Sequence, residues 1–264
     1  MRACRSPAGL LSQSALDGLP ILFRRFGKMV NILEASSSHA RLMDKTYRHQ
    51  RLIYDMTRRF FLLGRDRLLH DLAPPQGGQI LEVACGTGRN LAKVAKLYPG
   101  CVLSGLDISQ EMLRSARAKL GKTATLALAD ACDFDGDRLF GPGGFDRIIL
   151  SYSLSMIPDW DRALHLALTH LSPGGELHVI DFGGQSDLPS WFGRLLRAGL
   201  ARFHVAPRDD LENRMQALAD RHGLALRFRR LYLDYASYGV LCAKPSGGVA
   251  QSPGSLDTEM PHSA

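Results

Sequence analysis

The sequence predicts an α/β chain whose mostly parallel, seven-stranded sheet is covered by helices and closed by an antiparallel hairpin. Three observations predict it: apolar runs of strand length alternate with segments of helical period, glycines collect where the first strand meets the first helix, and two strand-like runs end the pattern in direct succession. Ile80 to Ala84 reads as a strand, Arg89 to Leu97 as a helix, Cys101 to Leu106 as a strand, and Gln110 to Leu120 as a helix capped by Ser109. Thr123 to Leu128, Phe145 to Leu150 and Glu176 to Phe182 supply further strands, separated by a short turn-rich stretch and by a helix around Asp161 to Leu171. Alternating units of this kind imply parallel strands joined by crossover helices. Asp209, with Glu212 three residues on, opens a further helix. Leu224 to Tyr232 and Ser237 to Ala243 then break the alternation as two consecutive strands, and no internal repeat is present.

Composition sets the outer limits. A chain of 264 residues suits one large domain, or one domain with a helical cap and loose ends. Residues 1–37 carry Arg2, Arg5, Arg24 and Arg25 among serines and glycines. That composition imitates a transit peptide but is read here as a disordered or extended start, with Met29 or Met43 as the natural beginning. Residues 38–73 are expected to form the helical cap and 74–244 the ligand-binding domain, while 245–264, rich in Ser, Gly and Pro, are expected to be a disordered tail. The net charge of +7 suits nucleic acid, an anionic membrane or an acidic ligand, and chooses among none of them. Cys4, Cys85, Cys101, Cys132 and Cys242 lack the paired spacing of a zinc site or a disulfide framework, so they read as reduced thiols of a cytoplasmic protein without a metal. No apolar run approaches the roughly 20 residues that span a bilayer, so any membrane contact is peripheral.

Chemistry begins after the first strand. In Glu82-Val83-Ala84-Cys85-Gly86-Thr87-Gly88, small residues stand where the backbone can approach a ligand and aim its amides at it. A dinucleotide-binding turn would want a third glycine where Leu91 stands. The acid Glu82 and the pair Gly86 and Gly88 resemble instead the signature of Rossmann-like class I methyltransferases, which bind S-adenosylmethionine. Ala84 replaces the usual first glycine, a departure that costs little if its φ stays negative. Asp107, about 20 residues beyond the glycines, is placed to accept hydrogen bonds from ribose hydroxyls, against the plainer reading of a surface carboxylate at a strand end. Asp130 is similarly placed for an adenine amino group, with the backbone of Ala131 near a ring nitrogen, or else simply caps a turn. Ile108 and Met112 cover the adenine faces or belong to the core.

The flanks resemble a narrower family. His39-Ala40-Arg41-Leu42-Met43-Asp44, Thr46 to Asp55, Leu62 to Leu68, Ser151 to Pro158, Asp181-Phe182-Gly183, and Trp191-Phe192 through Ala201 to His204 are similar to bacterial diacylglyceryl-homoserine N-methyltransferases of betaine-lipid synthesis. The likeness runs from about His39 to Lys244. It implies three successive methylations of a homoserine amine on a lipid, an upstream enzyme that supplies that lipid, and no nucleic-acid partner. Tyr47, Arg51 and Tyr54 share a face at helical spacing; Arg51 is a candidate for the carboxylate of methionine or homoserine, and the tyrosines for the lining of the transfer site. The plain alternative is an amphipathic surface helix. Ser151, through its backbone, is a candidate for the methionine part, and Tyr152 and His204 are candidates to take up the amine proton, with water as the alternative and a structural role the bland reading of His204. His165, His170 and His178 are read as helix or strand residues. From Trp191 to Phe203 the apolar residues fall on one broad side with Arg194 and Arg197 opposite, which fits either an interfacial helix that docks the enzyme on the inner membrane face or a helix packed on the sheet. Other acceptors, such as another lipid amine, a quinone precursor or a small molecule, stay open, as does a non-catalytic RNA-binding protein of the same fold.

Overall fold

The computed structural model describes residues 62–201 and 205–244. Its sheet contains β1 (Gln79–Val83), β2 (Val102–Asp107), β3 (Ala124–Leu128), β4 (Phe145–Ser151), β5 (Leu171–Phe182), β6 (Leu224–Leu231) and β7 (Ala236–Ala243). The order is β3-β2-β1-β4-β5-β7-β6. β1 to β5 are parallel, so their carboxyl ends open on one edge, and the order reverses between β1 and β4, where open α/β sheets leave a crevice for ligand. β7 runs antiparallel between β5 and β6, which turns the β6–β7 connection back to that same edge. The helices among the described residues are α1 (Arg65–Asp71), α2 (Arg89–Leu97), α3 (Gln110–Leu120), α4 (Gly136–Phe140), α5 (Trp160–Thr169), α6 (Ser190–Ala201) and α7 (Leu211–His222). The fold is the predicted one, hairpin included.

Parallel strands buried on both faces read as continuous apolar runs, and neighbouring residues then serve opposite layers. Ile80, Ile149 and Ile180 pack with Leu68, Leu91, Leu113 and Phe192 of α1, α2, α3 and α6. Leu81, Ile148 and Val179 pack with Leu164 of α5 and Met215 of α7. Ser109 caps α3 as expected, its hydroxyl accepting from Met112 N at 3.3 Å.

Other expectations change. Asp210, not Asp209, precedes α7, and Asp209 is drawn away by Arg197, 3.1 Å distant. The turn-rich stretch contains the short helix α4, whose Arg138 N donates to Asp135 Oδ1. β5 begins at Leu171 rather than Glu176, because the Pro173–Gly175 segment extends the strand. α6 divides its apolar side: Phe192 and Leu196 are buried in the core, whereas Trp191 and Leu195 are 55% and 45% exposed. Phe192 and Leu196 thus pack on the sheet, as in the second of the two expected readings, while Trp191 and Leu195 face outward. Arg197 is likewise not free for lipid, since its Nη2 donates to Gly184 O at 2.6 Å. No helix of the described residues is long and apolar enough to cross a membrane. The expected terminal segments, and the cap apart from its end at α1, lie outside the described residues.

Candidate active site

The turn after β1 is built around positive φ. Ala84, Gly86 and Gly88 have φ of 57°, 56° and 69°, so the expectation of negative φ at Ala84 is corrected. Holding a side chain there costs about 1–2 kcal/mol, which the fixed turn around it must sustain. Gly88 is also crowded: a Cβ would stand 2.8 Å from Leu120 Cδ1 and 3.1 Å from Ala116 Cβ, where α3 crosses the turn. At Gly86 a Cβ would meet no atom of the described residues within 4 Å, so the outer face of the turn is bare. Cys85 is buried, and burial pushes its thiol well above the usual range, so it is a packing residue of the turn rather than a nucleophile. Thr87 holds Lys119, whose Nζ donates to Thr87 O at 2.7 Å.

Two acids frame this turn. Asp107 Oδ2 accepts from Gly86 N at 2.8 Å and Oδ1 from Ser109 N at 2.9 Å. A carboxylate offers about four acceptor positions, so two remain for a ligand diol. Glu82 is buried; Asn90 Nδ2 donates to its Oε1 at 2.7 Å, while Oε2 has no partner. Burial pushes its pKa up to about 8, against the pull of Asn90 and Arg65. Between pH 4.5 and 8 the ligand-free protein keeps a proton that the unfolded chain has released, so stability must fall as pH rises through that window. Urea unfolding at pH 6 and pH 8 should show this slope in the wild type and a reduced slope in Glu82→Gln; equal slopes would remove Glu82 as its source.

Beside Asp107 lies a pocket of about 350 Å³, whose wall includes Ala84, Ile108, Asp130, Ala131, Met156 and Ile157. Ile108 is 70% exposed at this wall, an apolar surface open to a flat ring. Asp130 caps the turn, its Oδ1 accepting from Cys132 N at 2.8 Å, and the residue lines the pocket. Met112 stands in the first turn of α3 and does not line this pocket. Met156 to Asp159 supply the opposite wall, a contribution the sequence reading did not assign to the cofactor. Arg208 fixes that wall, its Nε donating to Leu154 O at 3.0 Å and its Nη2 to Ile157 O at 2.8 Å. No local pattern around Arg208 marks this role, because its partners are carbonyls far away in the chain.

At the end of β4, Ser151 is buried with its hydroxyl unpartnered, beside the crevice. Tyr152 does not fit the expected proton-transfer role. It is buried, its φ is 54°, and its hydroxyl donates to Leu63 O at 2.5 Å. Burial holds its pKa far above the ordinary phenol value, so it ties the segment before α1 to the sheet. Tyr152→Phe should lower stability by about 1 kcal/mol while leaving turnover within roughly twofold. Urea titration with initial rates tests this, and a large loss of turnover at full stability would restore the catalytic assignment. Asp181 is also inward, accepting from Ser155 N at 3.0 Å and Phe182 N at 2.8 Å. Tyr47, Arg51, Tyr54 and His204 lie outside the described residues. His170 and His178 are structural: His170 Nε2 accepts from Gly136 N at 3.0 Å, and buried His178 lies between Tyr238 and Glu176. No cluster of metal-ligating side chains occurs among the described residues.

The fold and this edge define the class: a Rossmann-like class I methyltransferase fold. Residues 80–175 match the family model for a methyltransferase domain, a span from β1 into β5 that carries the turn, both acids and the pocket. The chain is 31% identical over 157 residues to the O-methyltransferase cnsE of Penicillium expansum, covering 56% of this chain and 55% of that protein. It is 33% identical over 109 residues to the ubiquinone/menaquinone biosynthesis C-methyltransferase UbiE of Pasteurella multocida, covering 40% and 41%. The chain thus spans about half the length, or less, of these curated relatives. Among solved structures, the plantazolicin methyltransferase BpumL, in complex with a monoazolic analogue and SAH, superposes with a TM-score of 0.58 at 16% identity, covering 83% of this chain and 99% of that one.

Proposed function

We propose that this protein is an S-adenosylmethionine-dependent methyltransferase whose acceptor is the amine of a homoserine lipid, diacylglyceryl-homoserine, carried through to the trimethylated betaine headgroup. The observation that carries the cofactor half is Asp107, whose carboxylate is anchored by two backbone amides beside a bare glycine turn and an apolar pocket. The residues suit the group: Asp107 the ribose, Ile108 and Met156 the adenine faces, Asp130 and Ala131 its polar edge, and the Gly86 turn with Ser151 and the unpartnered Glu82 oxygen the methionine part. When bound, it supplies an electrophilic methyl on sulfonium sulfur. The chain's contribution is to hold a neutral amine in line with that methyl, and alignment alone supplies much of the rate. Transfer would form the C–N bond at the expense of the C–S bond, and the amine held by the chain would shed its proton before the next round. Tyr152 and Asp181 are engaged internally, so that proton passes to water.

The acceptor half rests on the resemblance of residues 39–55, 151–158, 181–183 and 191–204 to the betaine-lipid enzymes. The outward Trp191 and Leu195 beside Arg194 support a peripheral membrane contact. A second reading, methylation at oxygen or at a quinone ring carbon, is favoured by the names of the relatives. Incubation with methyl-labelled S-adenosylmethionine and either diacylglyceryl-homoserine or demethylmenaquinone in mixed micelles, followed by product mass analysis, decides between them. Mono-, di- and trimethylated homoserine lipid is the expected result. Label in the quinone alone would replace the acceptor, and binding of labelled RNA without any transfer would replace the enzyme reading.

A further inference from the structure

Buried side-chain polar atoms without a hydrogen-bond partner are not scattered through the described residues. They are Glu82 Oε2, the hydroxyls of Ser151 and Ser153, and both Oε1 and Nε2 of Gln185, whereas the Ser155 hydroxyl faces the Asp181 carboxylate. All stand near the end of β1 or at and just beyond the ends of β4 and β5, on the edge that holds the cofactor pocket. Each unmade interior hydrogen bond costs about 1–3 kcal/mol, so their concentration at one edge points to partners that arrive with ligand. Glu82 and Ser151 adjoin the glycine turn. Gln185 does not: it follows β5, which lies beyond β4 and away from the nucleoside pocket in the sheet order.

The segment around Gln185 is held by backbone hydrogen bonds and by close approach to the β6–β7 turn. Gln185 is 6% exposed with φ 62°. Its N–H donates to Asp234 O at 2.9 Å and its carbonyl accepts from Leu188 N at 3.3 Å. Gly183 and Gly184 bring the opposing turn close enough that Cβ atoms there would stand 2.3 Å from Asp234 O and 3.0 Å from Asp234 Oδ2. That turn is itself left-handed over Tyr232, Leu233 and Asp234, at φ 55°, 56° and 57°. Strained backbone of this kind, with a buried carboxamide left unpaired at its centre, marks a side chain fixed in place for a ligand rather than for the fold.

We propose that Gln185 selects the acceptor, its carboxamide pairing with an amino-acid headgroup: Nε2 donates to the carboxylate in every round, and Oε1 accepts from the N–H of the primary and monomethylated amine. This rests on the amine-acceptor reading above. A carboxamide presents an acceptor and a donor side by side, the complement of a neutral amine next to a carboxylate. Being uncharged, it does not stabilise the protonated amine as a carboxylate would, so the nucleophile keeps its lone pair.

The test compares wild type, Gln185→Met and Gln185→Glu, using diacylglyceryl-homoserine in mixed micelles and S-adenosylmethionine. Gln185→Met should raise the KM for the lipid at least tenfold, leave the Kd for S-adenosylmethionine unchanged, and raise the urea midpoint, because it removes an unpaired buried amide. Gln185→Glu should move the rise of kcat/KM to higher pH. If Gln185→Met does not fold, Gln185→Gly, suited to positive φ, carries the same KM test. Wild-type turnover with an unchanged KM in the folded variant overturns the role of Gln185 alone. Wild type that binds S-adenosylmethionine but leaves the lipid unmethylated overturns the acceptor reading, and with it the ligand named here.

Discussion

Asp107→Ala is expected to weaken S-adenosylmethionine binding by about 2–3 kcal/mol, roughly 30- to 150-fold in Kd. The loss acts twice. The ribose diol loses its charged acceptor, and the amides of Gly86 and Ser109 lose the oxygens they meet at 2.8 and 2.9 Å. The glycine turn then has no fixed aim, although the strands beneath it still pair through β1 and β2. Calorimetric titration, with circular dichroism to confirm the fold, measures the effect, and an unchanged Kd in a folded variant would remove Asp107 from the site. Asp107→Asn should fall between the two, since one of its side-chain atoms becomes a donor that faces a backbone donor.

Gly183→Ala is expected to destabilise the protein by about 3 kcal/mol or more, with a matching fall in the urea midpoint. The added methyl would lie 2.3 Å from the backbone oxygen of Asp234, and neither side can yield easily. Gly183 N donates to Tyr235 O at 2.9 Å, and Gln185 N holds Asp234 O itself, so a shift large enough to admit the methyl breaks the junction of β5 with the hairpin. An unchanged midpoint would show that the hairpin turn moves more freely than its hydrogen bonds imply.

The strands and most helices were legible because burial on both faces leaves continuous apolar runs, and because Ser109 offers a local cap. The turn and pocket of the candidate site were legible for a related reason: the glycines, Asp107 and Asp130 follow strand ends, where chain position and spatial position coincide. Ala84 misled because a positive φ is imposed by the turn as a whole, and nothing in the residue announces it. Tyr152 misled in the opposite way: its place at a strand end suggested chemistry, whereas its hydroxyl is used by Leu63, far away in the chain. Asp209 and Arg208 were unreadable on the same ground, since their partners, Arg197 and the Leu154 and Ile157 carbonyls, come together only through tertiary packing. Gln185 carries no local signal at all; only the burial of its unpaired amide sets it apart.

The placement of β7 between β5 and β6 has a consequence for synthesis. Translation delivers β1 to β5 first, and β5 then waits with its far edge bare until residues 236–243 have emerged. During that interval Leu177, Val179 and Ile180 form an apolar strand with unmatched amides and carbonyls, the kind of template on which nascent chains pair with one another. Ribosome pausing shortly before codon 236 should therefore lower the soluble yield more than an equal pause near codon 120, and holdase chaperones should engage nascent chains most strongly after residues 171–182 have emerged and before 236–243 have.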